Sequence, residues 1–257
     1  MKPLDDITRL RNEYEHRKQR LAESDLYSLF NRANLFIFQQ RQRKVLAVLK
    51  KNGFTDLSNL LILDMGCGDG GVLTEVLGFG ASPENLIGVD LLFDRLLHAH
   101  HILPGSGFSN ADGQSLPYSS KTFDLVLQYT AISSILDPEI RRNICADMLR
   151  VLKPGGMILS YDFWLNPTNP QTHGICPKEI RQLFPNCCYE FHRITLAPPI
   201  TRKLATISWG LCLFLESLKI FNTHYLVAIR PKTENGGPAT DNCLRPPSPV
   251  HRHFQKD

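Results

Sequence analysis

The run Leu61-Ile-Leu-Asp-Met-Gly-Cys-Gly-Asp-Gly-Gly-Val-Leu constrains this chain more than any other stretch of it. An apolar segment ends in Asp64, glycines follow at 66, 68, 70 and 71, and helix-compatible residues resume. Glycine allows a sharp turn and a close approach of ligand to main chain. A helix that starts there offers free N–H groups to an anionic group. Strand, glycine loop and helix in that order predict the ligand-binding end of an open α/β sheet.

The flanking pattern agrees. Short apolar runs at Leu60–Leu63, Leu86–Val89, Leu125–Leu127 and Met157–Ser160 read as buried strands, with segments such as Pro138 to Leu152 long enough for helices between them. Such alternation implies parallel pairing and a sheet covered on both faces. Tyr189–Leu196 and Tyr225–Arg230 predict two later strands, and Ile200 to Ile220 an apolar helical insertion. Upstream, residues 5 to 25 are charged helix formers, and Leu35, Phe38, Val45, Leu46 and Leu49 repeat at helix spacing up to Asn52-Gly53. The predicted divisions are a helical cap over 1–54, a core over 55–230 and a disordered tail over 231–257, where apolar periodicity stops.

Composition excludes several classes. A net charge of +4, from 29 basic and 25 acidic residues, is too mild to argue for nucleic acid. Seven cysteines, an odd number without CxxC spacing, suggest neither a disulfide framework nor a zinc site. His98, His100 and His101 lack a nearby acid or cysteine ligand set, so no metal is expected. The start of the chain lacks the apolar stretch of a signal peptide, and Leu204 to Leu215 is shorter than the roughly 20 residues of a membrane span. A cytoplasmic location is the expectation.

Two ligands compete for the loop. Gly66, Gly68 and Gly71 fit the GxGxxG of dinucleotide sites, with Asp90 near the ribose-binding distance. Asp64 points the other way, because a carboxylate at the loop mouth repels a pyrophosphate and attracts an ammonium. Cationic S-adenosylmethionine suits that polarity. Asp90 ends the strand Leu86-Ile-Gly-Val-Asp as an acceptor for two ribose hydroxyls would, and Asp112 in Asn110-Ala-Asp-Gly is placed to accept from an adenine amino group.

Asp64-Met-Gly-Cys-Gly-Asp-Gly, Asp90, Ala111-Asp-Gly, Phe123-Asp-Leu-Val and Leu152-Lys-Pro-Gly-Gly, in this order, resemble the class I S-adenosylmethionine-dependent methyltransferases. The likeness is to their small-molecule branch, which includes quinone-biosynthesis enzymes, and covers about residues 55 to 165. It implies a doubly wound, seven-stranded, mostly parallel sheet whose last strand is antiparallel. It also implies a cofactor site drawn from Asp64, Gly66, Cys67, Gly68, Asp90, Leu91, Ala111, Asp112, Gly113 and Gln128. One departure stands out: no histidine occurs between His101 and His173, so the base that many relatives carry after the fourth strand is missing.

The acceptor end is less determined. Tyr161 or Asp162 is a candidate base, with Trp164 and Asn166 shaping the pocket, and Tyr14, Tyr27, Phe30 and Asn34 are candidate lid contacts. Leu204 to Leu215 is apolar nearly all round and should meet something apolar: an acceptor-pocket wall first, a membrane surface or lipid-linked substrate second, a dimer interface third. The expected function is methyl transfer to a small molecule, oxygen ahead of carbon or nitrogen. The rivals are a dinucleotide-dependent oxidoreductase and a cofactor-binding partner without catalysis.

Overall fold

A computed structural model describes residues 8–16, 24–166 and 169–232. Seven strands form one sheet in the order β3-β2-β1-β4-β5-β7-β6. They are β1 (Ile62–Met65), β2 (Leu86–Asp90), β3 (Gly107–Asn110), β4 (Phe123–Tyr129), β5 (Leu152–Phe163), β6 (Cys187–Leu196) and β7 (Asn222–Pro231). The pairs β2–β3, β1–β2, β1–β4 and β4–β5 are parallel, whereas β7 runs antiparallel between β5 and β6. This is the doubly wound sheet the sequence predicts.

Side-chain alternation along β1 explains why both faces are covered. Ile62 joins one core cluster, with Val45, Leu49 and Leu73. Its neighbour Leu63 joins the other, with Val126, Ile144 and Met148. Successive strand residues point to opposite faces, so an uninterrupted apolar strand needs helices on both.

The helices are α1, described over residues 8–16, then α2 (Arg32–Lys51), α3 (Gly71–Gly78), α4 (Phe93–Ile102), α5 (Pro138–Val151), α6 (Pro177–Leu183), α7 (Pro198–Leu204) and α8 (Trp209–Ser217). Two begin with sequence-legible caps. Asn31 accepts from Ala33 N and Asn34 N at the head of α2, and Asp137 from Glu139 N and Ile140 N at the head of α5. Such caps satisfy N–H groups that the helix itself cannot.

Some segments are not announced by the sequence pattern, and one expectation lies outside the described residues. The edge strand β3, Gly-Phe-Ser-Asn, has no apolar run to announce it and is half-exposed. Pro154-Gly-Gly lies within β5, with Gly155 at φ +81° and a register shift against β4 between Phe123 and Leu125. The expected disordered tail falls outside the described residues except for Pro231, which ends β7, and Lys232. Cys188 is disulfide-bonded, which the sequence pattern did not anticipate.

Candidate functional site

The strand order reverses at β1, which has β2 on one side and β4 on the other. Loops leaving β1 and β4 diverge there and open a crevice. The glycine loop crosses its mouth. Gly66, Gly68 and Gly70 have φ of +74°, +53° and +80°, a region L-residues avoid. A Cβ on Gly66 would stand 2.6 Å from the Ala131 Cβ, so space as well as dihedral demands glycine.

Asp64 is 1% exposed, and neither carboxylate oxygen has a hydrogen-bond partner. Burial lifts its pKa well above the usual carboxylate range, Asp90 adds to the lift, and Arg95 opposes it. A buried, unpartnered carboxylate is costly, and this one fits a ligand that brings an ammonium or another donor. Asp90 is held by Gly68 N at 2.8 Å on one oxygen and Leu92 N at 2.9 Å on the other. Each oxygen keeps a further lone pair for a hydroxyl.

Beyond Asp90 lies an apolar slot of about 100 Å³, walled by Met65, Val89, Ile135, Ile140 and Ile144, with Leu91, Ala111, Asp112 and Gly113 along its edge. Asp112 accepts from Gln114 N and Nε2. An apolar slot with an acid at its rim suits a flat heteroaromatic ring bearing an amino group. The carboxylate without a partner, the glycine cradle, the diol-sized acceptor and the slot together fit S-adenosylmethionine.

Two of the ten sequence-predicted positions turn away. Gln128 is fully buried and lines neither cavity described here; its Nε2 donates to Asp162 Oδ2, and its Oε1 accepts from Ser160 Oγ. In this position it braces β4 against β5. The Cys67 side chain packs under Gly88, whose Cβ would stand 2.7 Å from the sulfur, and leaves only its backbone to the loop.

A second, larger cavity of about 1030 Å³ adjoins the slot, with Tyr14 and Ser134 shared between them. Tyr27, Asn34, Tyr161, Trp164 and Asn166 line it as anticipated. Phe30 does not: it is completely exposed. Asp162 also fails as a base, because it lines no described cavity and is spent on Gln128 Nε2, Ser133 N and Phe163 N. Burial pushes it up to about 6 against those three bonds. An acid whose folded pKa is raised stabilises the fold below its unfolded value near 3.8 and loses that contribution as pH rises to 6. The stability of the protein relative to Asp162→Asn should thus fall by about 3 kcal/mol between pH 4 and pH 7. Urea unfolding of both proteins across that window checks it; a constant difference would mean that folding does not shift the Asp162 pKa.

Sequence reasoning missed four cavity residues. Arg41 of α2 enters beside Glu75 and lies 5.4 Å from the Tyr129 ring and 5.5 Å from that of Tyr161. His224 stacks on Tyr161 at 4.6 Å and is pushed down to about 3 by burial. Thr130 and Thr195 have φ of 57° and 65°, unusual for β-branched residues. Strain of this kind gathers at functional sites, but no local motif foretells it. The guanidinium of Arg95 lies over the glycine loop, on Asp69 and above the Tyr14 ring at 4.8 Å.

Residues 62–156 match a family model described as a methyltransferase domain. The chain is 36% identical over 119 residues to phthiotriol/phenolphthiotriol dimycocerosates methyltransferase 1 of Mycobacterium ulcerans, covering 44% of this chain and 41% of that one. It is 30% identical over 163 residues to the ubiquinone/menaquinone biosynthesis C-methyltransferase UbiE of Syntrophotalea carbinolica, covering 62% and 65%. Haemonchus contortus phosphoethanolamine N-methyltransferase 1, solved with phosphoethanolamine and S-adenosylhomocysteine, shares the fold at TM-score 0.61 and 15% identity, over 95% of this chain and 53% of that one. The chain spans less than half the length of the first curated relatives it matches.

Proposed function

We propose that this chain, which carries a class I S-adenosylmethionine-dependent methyltransferase domain, transfers a methyl group to a small-molecule or lipid acceptor held in the 1030 Å³ cavity. The observation that carries the reading is Asp64, a buried carboxylate with both oxygens unpartnered at the head of a glycine loop. Asp64 would hold the ammonium, Asp90 the ribose hydroxyls and the slot around Asp112 the adenine. The loop main chain at Gly66 and Gly68 would line the path between them. When bound, the cofactor supplies an electrophilic methyl group on sulfur.

The residues of the larger cavity would position the acceptor and exclude water, which is most of what an in-line displacement needs. Neither buried titratable side chain facing it is suited to take a proton near neutral pH. His224 is held neutral, and the Tyr161 hydroxyl, pushed up to about 12 by burial and bonded to Thr195, stays protonated. Oxygen remains the acceptor atom we favour, in the form of an acidic hydroxyl that ionises without help. A nucleophilic enol carbon meets the same requirement, and the name of the Syntrophotalea relative gives a C-methyltransferase. NMR of a product made with isotope-labelled methyl donor separates O–CH₃ from C–CH₃.

Calorimetry should show S-adenosylmethionine and S-adenosylhomocysteine binding at one site and no heat with NAD. The acid at the loop mouth favours a cation and opposes a pyrophosphate. Binding of NAD without binding of adenosylhomocysteine would restore the oxidoreductase reading.

A further inference from the structure

We infer that the face formed by the turn before α2 and by α7, α8 and the α8–β7 turn docks on an anionic lipid surface. Phe30 is 100% exposed, Ile207 77%, Ile220 66% and Phe214 59%. These four come from two distant stretches that the fold knits together. Arg32 Nη1 donates to Thr206 O at 3.3 Å, and Trp209 meets Phe36 edge-on at 5.0 Å. Beneath them sits a small separate core of Ala33, Phe36, Leu196, Ala205 and Cys212. Apolar side chains in excess of what this core can bury are left facing outward, and concentrated exposure of that kind marks an interaction site.

Charge selects the partner. Arg202, Lys203 and Lys219 stand exposed on the same segments. The one acid between residues 197 and 221 is Glu216, which is turned inward to accept from Thr195 N. A symmetric dimer across this face would set equivalent surfaces against each other. It would bring these cations toward their own copies with no outward acid on α7 or α8, and Asp25 in the turn before α2, the exposed acid described on this face, is too little to offset them. An anionic lipid surface takes apolar side chains below its headgroups and cations among them. No helix among the described residues is long and apolar enough to cross a membrane, so the contact is peripheral.

Position gives the surface a purpose, and only this step rests on the proposed methyl transfer. Ile220 and Phe221 belong both to the exposed face and to the lining of the 1030 Å³ cavity, together with Tyr27 and Arg202. The cavity thus opens where the protein would meet lipid, and an amphiphilic acceptor could pass from the surface into it without crossing water.

The test is co-sedimentation of the full chain with vesicles of phosphatidylcholine alone and of phosphatidylcholine mixed with an equal part of phosphatidylglycerol. Pelleting is expected with the mixed vesicles, weakening as salt is raised. Ile207→Asp/Phe214→Asp and Lys203→Glu/Lys219→Glu should each weaken it at least about tenfold. All four positions are exposed, so thermal melts and adenosylhomocysteine affinity should not change. No pelleting with either vesicle, or pelleting indifferent to both double variants, overturns the inference. So does a concentration-dependent dimer that Phe214→Asp abolishes, because the face would then belong to a second copy. Failure to bind adenosylhomocysteine would instead strike the cofactor-site reading, leaving the vesicle result to stand by itself.

Discussion

Asp64→Asn should weaken cofactor binding at least about tenfold while leaving the unliganded protein as stable as before or more so. The two effects share one cause. In the absence of ligand the carboxylate is 1% exposed and neither oxygen has a partner, so its charge is a cost to the fold. Its folded pKa is raised. The protonated form is therefore the one that folding tolerates, and the cost grows as pH rises through the folded pKa. The variant's advantage in melting temperature should accordingly be larger at pH 8 than at pH 5. With ligand present the sign reverses, because the same carboxylate would pair with an ammonium. A hydrogen bond to a charged group contributes about 1.5–3 kcal/mol, so affinity for adenosylhomocysteine should fall at least about tenfold. Thermal melts at both pH values and a calorimetric titration suffice. A variant that melts lower, or binds as wild type does, would show that Asp64 is a structural acid.

What the sequence disclosed of this site follows from where each residue gets its geometry. Asp64, Gly66 and Gly68 are placed by the strand they end or follow, and Asp90 by the last residue of β2, so a local pattern was enough. Gln128 also lies next to the end of its strand, yet the in-register pairing of β4 with β5 puts it opposite Ser160 and within reach of Asp162. Which neighbour a strand residue faces depends on a partner chosen elsewhere in the chain. The same holds for Asp162, which looked like a base because it leaves β5 toward the pocket, and which instead ties β5 to the Ile132–Ser134 turn through Ser133 N.

The apolar insertion shows a different limit. Helices with one apolar stripe announce which face is buried; in α2 the expected Val45 and Leu49 are buried, whereas the expected Leu46 faces outward and Phe36 and Val48 are buried instead. In α8 nearly every residue is apolar, and only Cys212 is buried. Nothing in that pattern could say that Leu211 and Phe214 would face outward. The expected pocket wall is not formed by Leu204–Leu215, none of which lines the large cavity, although the flanking Ile200 in α7 and Ile220 beyond α8 do. Arg41 and His224 were invisible for a third reason: they come from the cap helix and the last strand, and only the closed fold brings them to Tyr161.

Arg41→Met should destabilise the protein by about 3–5 kcal/mol, the usual consequence of removing one member of a buried ion pair. Arg41 Nη2 lies 2.5 Å from Glu75 Oε2, and the Glu75 side chain is 1% exposed. Burial works against the Arg41 charge, but Glu75 and the hydroxyls of Tyr161 and Tyr129 outweigh it and hold its pKa above the usual value. Burial lifts the Glu75 carboxyl while Arg41 pulls it back, so without Arg41 that carboxyl must protonate or remain charged in the core. The pair also has a mechanical role. Glu75 lies on α3, the helix that begins at the glycine loop, and Arg41 on α2, so their bond ties the cap to the helix under the cofactor site. Replacing both members removes the stranded charge, and Arg41→Met/Glu75→Met should recover most of the stability, since apolar substitutes for a buried pair are often neutral. The double variant should still bind adenosylhomocysteine, because Asp64, Asp90 and the slot are untouched. Turnover should fall, because one of the cations lining the large cavity is gone, leaving Arg193 and Arg202. Chemical unfolding of the single and double variants measures the coupling directly. If Arg41→Met unfolds where wild type does, or if the double variant is no more stable than the single, the two side chains do not depend on each other. If the double variant turns over normally, Arg41 has no part in holding the acceptor.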